Sequence, residues 1–144
     1  MATPSRSALL AAIAAKLDAL TGFVEADEED PDKMSMYLAT QTARVGFSLD
    51  MPAGAVVSGR QRKRATMSEV VNIGLMVDVR QYNKRESAQL GLTTEDDVVT
   101  AMMVGFPGWH CYYDGAARTI AKAGAMRRLD LAFILEANIN FAGA

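Results

Sequence analysis

MRRLDLAFILEANINFAGA (126–144) alternates almost without error from Leu129 onward. Leu129, Leu131, Phe133, Leu135, Ala137, Ile139 and Phe141 take one side; Asp130, Ala132, Ile134, Glu136, Asn138 and Asn140 take the other. A period of two marks a half-buried strand, because successive side chains point to opposite faces. The run is about twice the usual strand length. At roughly 3.3 Å per residue it spans about 43 Å, against a radius of gyration of about 15 Å for a domain of this size. Such a strand either bends or reaches a neighbour.

SEVVNIGLMVDVRQY (68–82) reads the same way. Val71, Ile73, Leu75, Val77 and Val79 form one face; Val70, Asn72, Gly74, Met76, Asp78 and Arg80 form the other. The second face of the two strands is not the polar surface of an exposed sheet, since it carries Val70, Met76, Ala132 and Ile134. Gly74 lacks a side chain and lets something approach the backbone. The pattern predicts that sheet edges or this second face bury against identical copies.

Around these strands the rest of the chain falls into place. A helix is expected from Ser5 or Ser7 to about Leu20, with Leu10, Ile13, Leu17 and Leu20 at helical spacing and Gly22 after it. EADEEDPDK (25–33), dense in like charge, reads as a solvated loop, and MSMYLA (34–39) as a short strand. Val45, Phe47 and Leu49 alternate as a further strand, and 51–67 mixes Pro, Gly and basic residues as an extended loop or hairpin tip. NKRESAQLG (83–91) is expected to be a polar connection. A helix should start at Thr94, with Asp97 completing a capping box, and stop at Pro107–Gly108. Trp109, Cys111 and Tyr113 alternate, Asp114–Gly115 signals a turn, and the Ala/Gly-rich piece after it reads as mobile. The expected fold is one α+β domain, residues 1–144, with a mainly antiparallel sheet and two helices packed on one face. Extended loops are expected near 24–33, 51–66 and 114–126.

Composition narrows the function. Fifteen basic and seventeen acidic residues, with pI near 5.4, give no global attraction to nucleic acid or acidic membranes. No apolar run approaches the roughly 18 residues of a membrane span. Lys16 and Asp18 interrupt the N-terminal apolar stretch, which suits an amphipathic helix better than a signal peptide. One cysteine, Cys111, fits a reducing cytoplasm. His110 and Cys111 are far short of a zinc site, and as strand neighbours they point to opposite faces, so they do not make a nucleophilic dyad. No phosphate-binding glycine motif occurs. The acidic run lacks the glycine and distal glutamate of a calcium loop. Nothing points to an enzyme, a metal or a cofactor. The cluster Arg60, Arg62, Lys63 and Arg64 suits DNA or an acidic partner surface, or equally an ordinary exposed loop tip.

Taken in order, the elements resemble a family. An Ala/Leu-rich first helix, an acidic stretch, MSMYLA, then SEVVNIGLMVDVRQY, a capped helix, a DG-containing loop and a final alternating strand are similar to the tail terminator (tail completion) proteins of long-tailed bacteriophages. The group includes the lambda tail terminator. The resemblance covers nearly the whole chain. It implies a subunit of a hexameric ring that caps the tail tube, ends its polymerisation and joins the tail to the head–neck connector. It implies a virion protein of the tail–neck region, assembled in the bacterial cytoplasm, with no cofactor, no catalytic residue and no membrane. DNA would pass through the ring. The expected contacts with subunits or partners are Arg60, Arg62, Lys63 and Arg64, the acidic Glu28, Glu29 and Asp30, and Gly74, Met76, Ile134, Asn138 and Asn140. Other readings are another neck or head-completion protein, a tail-tube subunit, or a cytoplasmic ligand-binding or regulatory domain.

Overall fold

The computed structural model describes residues 5–61, 64–121 and 125–141. The chain runs α1 (Arg6–Asp18), β1 (Phe23–Glu25), α2 (Pro31–Thr40), β2 (Val45–Gln61), β3 (Arg64–Asp78), α3 (Lys84–Met103), β4 (His110–Ala121) and β5 (Met126–Asn140). The strands form one sheet in the order β1-β2-β3-β5-β4. β1 runs parallel to β2, and every other pairing is antiparallel. The sheet is therefore mixed, and three helices accompany it where two were expected.

The two long alternating runs are the centre of this sheet. β3 and β5 pair without a break from Arg64–Asn140 to Asp78–Met126. Their apolar faces, from Val71 to Val77 and from Leu129 to Ile139, are buried against α1 and α3. Phe47, Ile13 and Phe133 are fully enclosed there, each worth about 1.5–3 kcal/mol of burial. Phe141, expected on the core face, lies one residue past the strand; it is exposed, and the Arg6 guanidinium sits over its ring at 5.5 Å.

α1 is capped by Ser5, whose Oγ accepts from the Ala8 N–H at 3.3 Å, and it buries Leu9, Ile13 and Leu17 rather than Leu10 and Leu20. α2 corrects the strand expected at MSMYLA. Asp30 Oδ1 accepts from the Asp32 N–H at 2.9 Å and Pro31 occupies the first helical turn, two helix-starting features inside the acidic run. A strand would place Met34, Met36 and Leu38 on one side. Met34 and Leu38 are buried at 1% exposure while Met36 is 71% exposed, which is helical spacing. α2 covers the second face of the sheet, where Met34 and Leu38 pack on Met76 and Met126.

α3 begins ten residues earlier than expected, so 83–91 is not a connection. Asn83 accepts from the Glu86 N–H at 2.8 Å, and Glu86 Oε1 accepts from the Asn83 N–H at 3.3 Å: a complete capping box. Thr94 is buried mid-helix and donates to the Leu90 carbonyl at 2.8 Å. Asp114–Gly115 is not a turn either. The register of β4 against β5 shifts between Tyr113 and Gly115, with φ of Gly115 at 107°, so the pair marks a bulge. The segment after it, expected to be mobile, continues β4 to Ala121. Residues 51–61 and 64–66, expected as an extended loop or hairpin tip, belong to the β2–β3 hairpin, as strand rather than loop.

Candidate assembly surfaces

The topology leaves both sides of the sheet with unpaired backbone. β1 pairs only Val45, Gly46 and Phe47 of β2, so β2 from Ser48 outward has β3 as its sole strand neighbour among the described residues. β4 is paired by β5 alone. Exposed apolar side chains follow these edges: Val56 and Val57 on β2; Tyr112, Tyr113 and Ile120 on β4. Neither edge is a smooth template. Pro52 and three register shifts interrupt β2, and the bulge at Gly115 interrupts β4, features that discourage indiscriminate strand addition.

On the second face, Gly74 meets its own chain. A Cβ there would lie 2.8 Å from Ser48 Oγ and 3.0 Å from Arg128 Nη2, so the close approach predicted from its missing side chain is made by β2 and β5. Arg128 donates through Nε to Asp130 Oδ1 at 3.0 Å, and a polar groove of about 380 Å³ runs past them, lined by Asp27, Glu29, Asp50, Asn72 and Asp130. Met76 is buried at 3% exposure under α2, which removes it from any partner surface and corrects that expectation. Ile134 is half-buried next to the exposed Tyr112, its register partner on β4. Asn138 is exposed and accepts from the Thr66 hydroxyl. Asn140 pairs with Arg64 at the hairpin end of the sheet.

The charged loops are placed differently. Glu28 Oε1 accepts from the Asp30 N–H at 3.0 Å, and Asp30 caps α2, so part of the acidic run orders its own segment. Glu29 is exposed. Arg60 lies in β2 near the hairpin end, Arg64 opens β3 and is exposed, and Arg62 and Lys63 lie outside the described residues. Ala26 is tied to the carbonyl of Phe47, which stands opposite Leu75, while Gln61 stands opposite Arg64; the eleven steps of β3 between those partners put the acidic segment and the described end of the hairpin about 36 Å apart.

Three contacts between sheet and helices were not visible in the sequence. Glu95, buried on α3, takes both Arg118 Nε at 2.6 Å and Arg118 Nη2 at 2.9 Å, which clamps edge strand β4 to the helix. The bidentate contact raises the Arg118 pKa. Burial, with the Glu95 carboxylate beside it, raises that of Tyr113. Arg127 Nε donates to Ser87 Oγ at 2.6 Å, joining β5 to the start of α3. Arg6 reaches the buried Glu69 at 3.4 Å. In β4, His110 is exposed while the half-buried Cys111 packs against the core, as strand alternation requires, and burial pushes the Cys111 thiol up.

No protein-family profile and no curated protein sequence matches the chain. Its fold is nonetheless shared. The structure of the virion of a native gene transfer agent (GTA) particle contains a chain that superposes with a TM-score of 0.51 at 18% identity, over 90% of this chain and 94% of that one.

Proposed function

We propose that the chain is a structural subunit of a phage or phage-like virion, and that it acts as a tail terminator. In this reading copies form a ring, six-membered by the resemblance, on the end of the tail tube. The ring stops further addition of tube subunits and offers its other surface to the head–neck connector. The work is mechanical, with no cofactor and no catalytic step. The observation that carries the reading is the fold shared, along almost its full length, with a chain of a virion particle. Two interrupted sheet edges support it, because they favour a few specific neighbours over open-ended stacking. The test combines light scattering across a concentration series with negative-stain images of the protein alone and mixed with purified tail tubes. Closed rings, or a monomer that caps tubes, are expected. Long hollow cylinders would identify a tube subunit instead, and a monomer inert toward tubes would overturn the reading.

A further inference from the structure

A cleft of about 500 Å³ opens at the end of the sheet opposite the β2–β3 hairpin tip, between the start of α3 and the ends of β4 and β5. Three cations line it, Arg80, Lys84 and Arg127, together with Tyr82 and Ser87, and no carboxylate is among the described lining residues. Two features of its construction run against the fold's own stability. Lys84 and Arg85 occupy the first turn of α3, the positive end of the helix dipole, where cations are disfavoured. Gly91 sits inside the same helix, where alanine would be more stable. The space it leaves is filled: a Cβ there would be 3.3 Å from Arg127 Cδ. The Arg127 stem thus lies against α3 while its Nε is held by Ser87. Of the three cations, only Arg80 has an ion-pair partner among the described residues, Asp78 at 2.7 Å.

The chain also carries the complementary group. Asp27 and Glu29 of the acidic β1–α2 segment line the groove on the second face of the sheet, whereas Glu28 and Asp30 order that segment and Asp32 acts on Arg80 of its own chain. Lys84 and Arg127 stand on the other side, with α3. One copy therefore cannot seat its own Asp27 and Glu29 against its own Lys84 and Arg127, but a second copy can. We infer that the cleft receives the acidic β1–α2 segment of a neighbouring copy. The contact joins two different surfaces, so it is heterologous and directional, the kind that closes into rings. It deepens the ring reading above and rests on it for its setting. The chain's net charge of −2 disfavours DNA as the occupant.

Two probes separate this contact from the ring itself. The first is a synthetic peptide of residues 24–33 titrated into the full chain. Lys84→Glu is the informative variant, because a glutamate in the first helical turn should stabilise the fold while weakening the peptide. Binding about fivefold weaker per reversed charge is expected, with an unchanged or higher Tm. The second probe mixes Lys84→Glu/Arg127→Glu with Asp27→Lys/Glu29→Lys. Each variant alone should assemble poorly, and the mixture should recover assembly through alternating copies. Peptide binding to a chain that stays monomeric would uphold this contact while sinking the ring. Rings formed by both variants as readily as by the unmodified chain would overturn the contact and leave the ring standing. Charge-dependent binding of a short DNA duplex at Lys84 and Arg127, with none of the peptide, would also overturn it.

Discussion

Glu95 joins the edge strand to a helix. Its carboxylate is buried and accepts two bonds from Arg118, and so ties β4 to α3. Glu95→Gln keeps the shape and loses the charge, and should cost about 1 kcal/mol. Arg118→Ala should cost more, because it strands a buried carboxylate even though the guanidinium itself is half exposed. Urea unfolding of the two variants checks the order; equal losses would mean that the charge is already well solvated. Two nearby acids should weaken the fold at alkaline pH. Burial raises Cys111 above its ordinary 9.0 and Tyr113 above its ordinary 10.0, so the folded state resists their ionisation. The stability they contribute is complete below those ordinary values and is lost as pH rises through the folded ones. Melting temperature should therefore fall above about pH 9, and Cys111→Ser should flatten the first part of the fall.

Elements differ in how openly the sequence declares them, and the difference is physical. β3 and β5 have one buried face each and sit in the middle of the sheet, so period-two alternation shows them almost residue by residue. α3 buries Ser87, Gly91, Thr94, Glu95, Val98 and Met102. The spacing is helical, but the first four are small or polar, so hydrophobicity stays silent for half the helix. The signal that could have found its start was Asn83 with Glu86 three residues on, overshadowed by the similar pattern at Thr94–Asp97. Asp30–Pro31 likewise announced α2, but the density of acids around it favoured a loop. The start of α3 can be tested at its cap. Asn83→Ala removes one side of a capping box and should cost about 1 kcal/mol. It should also increase amide exchange in the first turn of α3, which would not occur if packing against Arg127 alone held that turn. Gly46 tests how α2 is seated. A Cβ at that position would lie 2.7 Å from Met34 Sδ. Gly46→Ala should shift the methionine and cost about 1 kcal/mol, with the loss confined to α2 exchange because Met34 is a flexible side chain.

For the whole molecule, the sequence was a good guide to an α+β domain centred on two long strands and a poor guide to which residues of their second face stay accessible. Alternation located the two long strands, but it could not foresee that α2 would cover Met76, that Ser48 and Arg128 would fill the space over Gly74, or that a polar groove would run along the second face. Those depend on elements distant in sequence. The charged loops show the same limit. Arg60–Arg64 and Glu25–Asp32 carry opposite charges, yet the β2–β3 ladder holds the acidic segment about 36 Å from the described end of the hairpin. If copies of the proposed ring sit level with one another and β2 runs along its axis, that separation persists between copies, and the basic loop would then face what lies above or below the ring. Replacing Arg60, Arg62, Lys63 and Arg64 by Ser should therefore leave ring formation unchanged in light scattering and lower capping of purified tubes, or infectious titre, with a salt dependence weaker than that of the unmodified protein. Rings that fall apart in this variant would place the basic loop between subunits after all, and unchanged capping with unchanged titre would remove it from assembly altogether.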